Sequence, residues 1–174
     1  MENIIKLHSY IAKLKKEKRT GWTRFLNDVE SVADHSFGVS LLTFVIAKEL
    51  NYDVNHCIKL SLVHDLAESI TKDITPYDMK REDKINLEID AINKIAKETG
   101  FDFIKDLAIE EFEGKTKESQ LVHDVDKIEM VLQALDYEKN HGKNLSEFFD
   151  YTKSKLELDY SKELFQKIIQ KRPS

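Results

Sequence analysis

The scarcity of glycine and proline constrains the fold of this chain more than any other feature of its sequence. Five glycines and two prolines interrupt 174 residues, and most segments between them repeat apolar residues at the 3.6-residue period of an α-helix. The clearest example runs from about residue 117 to residue 140, where His141-Gly142 ends it. Its apolar face carries Leu121, Val125, Ile128, Leu132 and Leu135. The pattern predicts an all-α fold.

A second apolar helix is predicted to begin after Ser31. The Ser31 side chain can cap it, and Asp34 stands three residues on, in the position of a capping box. The apolar residues of this helix are Phe37, Leu41, Leu42, Phe44, Val45 and Leu50. A shorter helix is expected to follow, through Ile58, Leu60, Leu62 and Leu66. The preceding stretch, residues 20–30, is aperiodic and is predicted to be a loop.

Length and composition favour one globular domain spanning residues 1–174. Hydrophobic residues make up 41% and charged residues 34% of the chain, which is typical of neither disordered nor membrane proteins. The net charge of −5 gives no electrostatic support for binding a nucleic-acid polymer. With Cys57 as the single cysteine and no apolar run long enough for a signal peptide or membrane span, we expect a reducing, cytoplasmic setting.

The most informative short segment is Leu62-Val-His64-Asp65-Leu-Ala-Glu68. It places an imidazole and two carboxylates within about one turn of a mostly apolar helix. His64 and Glu68 are four residues apart and share a helix face. Buried carboxylates need hydrogen bonds, cations or water. The segment is therefore a candidate metal-binding or catalytic element.

Two further elements carry candidate ligands. His35 stands in the first turn of the capped helix, and Asp126 lies at the edge of the apolar face of the long helix. Two imidazoles and two carboxylates suit a divalent cation, with water completing its shell. The spacing alone does not favour Asp126 over Asp124, nor His35 over His123.

Four stretches of this chain resemble a known family. They are Arg19-Thr-Gly-Trp22, Glu30-Ser-Val-Ala-Asp-His35, His64-Asp-Leu-Ala-Glu-Ser-Ile-Thr-Lys-Asp73-Ile-Thr-Pro76 and the segment from Asp126 to Glu138. The order of His35, then His64-Asp65, then Asp126 resembles the HD-domain metal-dependent phosphohydrolase superfamily. Within it the chain is similar to the 5′-deoxynucleotidase group.

The resemblance implies an HD-domain helical bundle, with residue roles that composition does not supply. It makes His35, His64, Asp65 and Asp126 the ligands of one divalent cation, most often Co²⁺ or Mn²⁺, with Mg²⁺, Ni²⁺, Zn²⁺ or Fe²⁺ as alternatives. It makes Glu68 and Asp73 the catalytic carboxylates. The implied substrates are deoxyribonucleoside 5′-monophosphates, hydrolysed to deoxynucleoside and phosphate, and the implied assembly is a homodimer.

The substrate contacts are less defined. Some relatives carry an arginine immediately before the tryptophan, where this chain has Gly21. Arg19 and Arg24 are therefore both candidates for the phosphate contact. Trp22 is a candidate for the pocket lining, with a place in the core as the alternative. Glu129 and Asp136 interrupt the apolar face of the long helix. They could approach the site or face a dimer partner, and surface or structural roles are favoured over both.

Two other functions fit the same residues. A phosphodiesterase or pyrophosphatase acting on another nucleotide would use the same metal ligands, because these hold the ion that binds the phosphate and do not contact the leaving group. A noncatalytic nucleotide-binding protein would keep the fold. It would have no need of Glu68 and Asp73 together with all four ligands, which favours an enzyme.

Overall fold

The structure, a computed structural model, describes residues 1–173. This range contains ten helices and one isolated antiparallel bridge, between Lys18 and Ser31, so the all-α prediction is confirmed. None of these helices combines the length and apolar character needed to cross a membrane. The helices are α1 (Glu2–Leu14), α2 (Thr20–Thr23), α3 (Val32–Glu49), α4 (Val54–Val63), α5 (Glu68–Thr71), α6 (Arg81–Thr99), α7 (Asp102–Glu113), α8 (Lys117–His141), α9 (Ser146–Lys153) and α10 (Asp159–Ile169).

Helix α8 is the central element of the bundle. It packs against α3, α4, α7, α9 and α10. Leu121, Val125 and Ile128 are fully buried on its predicted apolar face, and Leu135 is 7% exposed. The helix ends at Gly142, which adopts φ +62° as a left-handed cap, as the His141-Gly142 pair predicts. A helix packed on so many sides can hold polar groups away from bulk water.

The start of α3 follows the sequence prediction. The Ser31 side chain accepts a hydrogen bond from the backbone N–H of Asp34, and the Asp34 carboxylate accepts one from the Ser31 N–H, which completes a capping box. The Asp34 carboxylate also accepts from the Ser31 hydroxyl at 2.7 Å. The cap fixes where α3 begins and therefore the direction of the next side chain, His35.

Four of the six apolar residues that the sequence assigns to α3 are exposed and do not lie in the core: Phe37, Leu41, Phe44 and Val45. Phe37 is 71% exposed and Leu41 is 52% exposed. Helix α3 is apolar around most of its circumference, so periodicity cannot decide which side faces the core. The side that faces the core carries Val32, His35, Val39, Thr43, Ile46 and Ala47. As a result, an apolar surface remains on the outside of the bundle.

Two local predictions also differ from the structure. Residues 20–30 contain the short helix α2 at their start, and Arg19 donates its backbone N–H to the carbonyl of Glu30 at 3.1 Å, which closes the stretch into a compact turn. Helix α4 ends at Val63, not Leu66. Residues 64–67 form a tighter turn, in which hydrogen bonds span three residues, as from the Glu68 N–H to the Asp65 carbonyl.

Candidate metal centre and active site

The four predicted metal ligands come together in one cluster. His35 is in the first turn of α3, His64 and Asp65 are in the turn after α4, and Asp126 is in the middle of α8. His35 Nε2 lies 3.0 Å from Asp126 Oδ1 and 3.7 Å from Asp65 Oδ2, and His64 Nε2 lies 3.3 Å from Asp65 Oδ2. Ligand atoms of His35, His64 and Asp126 all lie within 4.8 Å of one another.

Two atoms of this cluster have unsatisfied hydrogen-bonding capacity. His64 Nε2 and Asp65 Oδ2 are buried, and neither has a hydrogen-bond partner among the described residues. The other ring nitrogen of His64 lies 2.7 Å from the Ser61 carbonyl. Donation of Nδ1–H to that carbonyl leaves the Nε2 lone pair directed into the cluster. A divalent cation with nitrogen and oxygen ligands fits both unsatisfied atoms.

The cluster also perturbs the acid–base equilibria of its members. Burial lowers the pKa of His64, but the charge of Asp65 outweighs burial and raises the pKa to about 10. For His35, burial and Arg19 lower the pKa, yet the carboxylates of Asp126 and Glu129 raise it to about 9. The histidine charges and the nearby arginine hold the pKa values of Asp65 and Asp126 below their usual range, against the effect of burial. The metal-free cluster therefore favours imidazolium and carboxylate.

The two rival ligands of the sequence analysis point elsewhere. His123 Nε2 lies 2.7 Å from the Glu111 carbonyl and 2.9 Å from its carboxylate. Asp124 is 1% exposed and accepts hydrogen bonds from the backbone N–H groups of Glu157 and Leu158. Both residues hold neighbouring segments against α8. Sequence spacing does not separate His123 and Asp124 from His35 and Asp126. Their partners do, because His123 and Asp124 bind groups outside the cluster.

Glu68 and Asp73 lie beside the cluster. Glu68 is 2% exposed; its Oε1 lies 3.2 Å from Lys84 Nζ, and its Oε2 is buried with no partner among the described residues. Burial, followed by the charges of Asp65 and Asp73, raises the pKa of Glu68 well above its usual range. Asp73 accepts a hydrogen bond from the Thr20 backbone N–H at 2.5 Å, which ties its loop to the start of α2.

Arg19 and Arg24 occupy different environments. Arg19 Nη1 lies 3.5 Å from Asp65 Oδ2 and 3.8 Å from Asp73 Oδ1, and the side chain is 14% exposed. Arg24 instead pairs with Glu147 at 2.9 Å and lies over the ring of Tyr77. The structure therefore brings Arg19, and not Arg24, to the cluster.

Trp22 lies in the core. It is 1% exposed, and its ring packs against Phe148 and Tyr137 with centroid separations of 4.1 and 5.4 Å. Its indole N–H donates to the Glu30 carboxylate at 2.8 Å. The ring has no free face for a ligand in this arrangement, and it reaches the cluster only through Glu30.

Two further residues are neighbours of the cluster: Lys84, which sequence reasoning missed, and Glu129, for which a surface or structural role was favoured over an approach to the site. Lys84, on α6, also pairs with Glu88 four residues on, so in the sequence it looks like an ordinary surface ion pair. Glu129 lies 2.5 Å from His35 Nδ1. Its position three residues after Asp126 places both on one face of α8, and this spacing is the signal that would have identified it.

Comparison with known proteins gives a consistent result. The family model described as HD domain matches residues 11–167. The 5′-deoxynucleotidase HDDC2 of Dictyostelium discoideum is 38% identical over 90% of this chain and 91% of its own length. The human 5′-deoxynucleotidase HDDC2 is 36% identical over 84% of this chain and 74% of its own length.

A solved structure supports the same relationship. The crystal structure of the PH0347 protein from Pyrococcus horikoshii OT3 superposes with a TM-score of 0.85 at 33% identity, covering 97% of this chain and 99% of that protein. The fold, the match over residues 11–167 and the sequence identity to the curated relatives agree. The chain therefore belongs to the HD-domain family, in the group of the 5′-deoxynucleotidases.

Proposed function

We propose that this protein is a metal-dependent 5′-deoxynucleotidase that converts deoxyribonucleoside 5′-monophosphates to deoxynucleosides and phosphate. The observation that carries the proposal is the placement of Glu68, Asp73 and Arg19 beside one cluster of two histidines and two aspartates. The names of the curated relatives support the substrate class.

In this proposal His35, His64, Asp65 and Asp126 hold one divalent cation. When bound, such a cation neutralises the phosphate charge and lowers the pKa of a bound water. We infer Co²⁺ or Mn²⁺ as the preferred ion. A mixed nitrogen and oxygen site also accepts Mg²⁺, Ni²⁺, Zn²⁺ or Fe²⁺, because geometry and availability decide among them.

The protein's own groups complete the chemistry. Arg19 faces Asp65 and Asp73 and supplies a planar cation suited to phosphate oxygens. Glu68 is the carboxyl group with the raised pKa, so it is suited to hold a proton and donate it to the departing 5′ oxygen. Asp73, held by the Thr20 N–H, is suited to orient the attacking water. In this proposal Trp22, which is buried, and Arg24, which pairs with Glu147, shape the substrate pocket only indirectly.

The substrate class is tested by phosphate release from a panel of nucleotides. The panel contains deoxyribonucleoside and ribonucleoside 5′-monophosphates, deoxyribonucleoside triphosphates and cyclic nucleotides, each assayed with Co²⁺ and with Mn²⁺. We expect the deoxyribonucleoside monophosphates to give the highest kcat/KM. A preference for cyclic nucleotides or triphosphates would replace this function by a phosphodiesterase or pyrophosphatase. Nucleotide binding without turnover would show a noncatalytic protein.

We also propose that the protein forms a homodimer through the outer face of α3 and the adjacent α4. Phe37, Leu41, Phe44, Val45 and Leu62 are between 47% and 71% exposed, and monomers rarely leave contiguous apolar surfaces of this kind open. Light scattering, which measures the molar mass in solution, tests the proposal. Leu41→Glu combined with Leu62→Glu should yield a monomer, and a parent that is already monomeric would refute it.

The remaining partners follow from charge and composition. The proposed ligand is a small nucleotide and not a nucleic-acid polymer, since the net charge is −5 and offers no general attraction to a phosphate backbone. The cytoplasmic setting belongs to the same proposal, supported by Cys57, a single, free and buried cysteine.

A further inference from the structure

His35 is held by carboxylates at both ring nitrogens. Nε2 lies 3.0 Å from Asp126 Oδ1, and Nδ1 lies 2.5 Å from Glu129 Oε2. Both carboxylates belong to α8 and lie one helical turn apart. His35 is 0% exposed and Glu129 is 8% exposed, so the contact between them is shielded from bulk water. Glu129 therefore contacts Nδ1, the ring nitrogen that points away from the other predicted ligands.

The space for Glu129 depends on a glycine. A Cβ atom added to Gly38 would lie 2.7 Å from Glu129 Oε1 and 3.1 Å from its Cγ. Gly38 is inside α3, three residues after His35, where alanine would favour the helix more. A glycine at this position is explained by the carboxylate that lies over it.

A second carboxylate, that of Glu30, lies close to Glu129. Ligand atoms of Glu30, His35 and Glu129 all lie within 4.8 Å of one another. Glu30 is itself fixed by the Trp22 indole N–H at 2.8 Å. The buried Trp22 thus holds the carboxylate that stands next to Glu129.

We propose that Glu129 is a positioning residue for the metal centre and that Gly38 provides the space it needs. Glu129 accepts the Nδ1–H of His35, which leaves the Nε2 lone pair directed at the cation and makes the ring a stronger ligand. The Ser61 carbonyl does the same for His64 at 2.7 Å. The inference rests on the proposed metal centre, to which it adds an outer layer.

The test is a Co²⁺ titration of the purified full-length protein. Calorimetry measures the affinity, and the visible absorption of the bound ion reports its surroundings. Glu129→Gln replaces the carboxylate by a weaker, neutral acceptor. Gly38→Ala displaces the carboxylate while keeping all its atoms. We expect each variant to weaken Co²⁺ binding roughly 10–100-fold and to change the absorption bands. The matched control is Glu138→Gln, a buried glutamate of the same helix that pairs with Arg172, and it should bind Co²⁺ like the parent.

The outcomes separate the alternatives. Parental Co²⁺ affinity in both Glu129→Gln and Gly38→Ala would overturn the proposal, including the case in which only the melting temperature of the metal-free protein falls. Weaker binding in Glu129→Gln alone would overturn the role of Gly38. A parent that binds no Co²⁺ or Mn²⁺ would instead refute the proposed function, on which this inference depends.

Discussion

Glu68 is the residue whose chemistry depends most on its surroundings. Burial and the charges of Asp65 and Asp73 raise its pKa, while Lys84 and Arg19 act in the opposite direction. The pairing of Glu68 with Lys84 leaves its Oε2 atom without a partner. In the proposed mechanism this carboxyl group, which lies beside the predicted ligands but outside that set, transfers a proton and does not bind the ion.

Glu68→Gln should therefore separate catalysis from metal binding. Because the amide cannot donate or accept the proton, we expect kcat to fall about 10²–10⁴-fold, with Co²⁺ affinity unchanged. Steady-state kinetics and a Co²⁺ titration of the same preparation measure both quantities. A variant with parental kcat would remove Glu68 from the mechanism.

Lys84→Met tests the assignment of Glu68 as the acid. Lys84 lowers the pKa of Glu68, so its removal raises that pKa further. If Glu68 donates its proton, the loss of kcat at high pH should then move to higher pH. Lys94→Met, at an exposed position of the same helix, is the control and should leave the profile unchanged. A shift to lower pH would contradict the assignment.

Different residues of the site were predictable to different degrees. His64 and Asp65 stand out because they share one helical turn, whereas His35 and Asp126 had rivals that only the family resemblance separated. Lys84 was missed, and the partner of Glu129 was not identified, because Glu68 and His35 lie 16 and 94 residues away from them in the chain. Such contacts arise from packing, and the only local signal is the spacing of Glu129 three residues after Asp126.

At the scale of helices, α8 combines two tasks. Its Asp126 and Glu129 contact His35 in the cluster of predicted ligands, and its Asp124 accepts the N–H groups of Glu157 and Leu158 at 3.0 and 2.8 Å. The last contacts fix the connection into α10. Two aspartates separated by a single residue point to different sides of the helix and serve different purposes.

Asp124→Asn should affect stability without affecting the metal centre. Loss of a charged acceptor for two backbone N–H groups should lower the free energy of unfolding by about 1–3 kcal/mol. Urea denaturation measures this change, and Asp136→Asn, at an exposed position of α8, is the control. Weaker Co²⁺ binding in Asp124→Asn would show that this aspartate contributes to the ion site after all.

Helix boundaries were predictable where local chemistry determines them. The Ser31–Asp34 capping box and the Gly142 cap are set by neighbouring residues. The end of α4 at Val63 was not predictable. The apolar pattern continues through Leu66, whereas the chain turns after Val63 and brings His64 and Asp65 to the cluster. The core side of α3 was not predictable either, because a helix that is apolar on most sides does not indicate which side faces the core.

At the scale of the whole molecule, the predicted metal ligands come from three separate segments of the chain. In the metal-free protein the pKa values of His35 and His64 are about 9 and 10, above the ordinary value of 6.5. Because these pKa values are raised, the two protonated histidines stabilise the folded protein. This contribution is fully present below pH 6.5 and is lost as pH rises through about 9 to 10. A bound cation requires neutral imidazoles, so its affinity should change with pH in the opposite sense.

Two melting series test this linkage. The melting temperature of the metal-free protein should fall between about pH 7 and pH 10, and the increase produced by a fixed Co²⁺ concentration should grow between about pH 6 and pH 8. Differential scanning calorimetry with and without Co²⁺ provides both series. A Co²⁺ effect that shrinks as pH rises would contradict the assignment of histidine ligands.

The most direct test compares Asp126→Asn with Asp136→Asn, the same substitution on the same helix. Bound Co²⁺ and phosphate release from a deoxyribonucleoside 5′-monophosphate are measured in the same samples, before and after chelation. We expect the parent and Asp136→Asn to bind one equivalent of Co²⁺ and to release phosphate until the chelator is added, and Asp126→Asn to do neither. Phosphate release that survives chelation, or full activity in Asp126→Asn, would contradict the account.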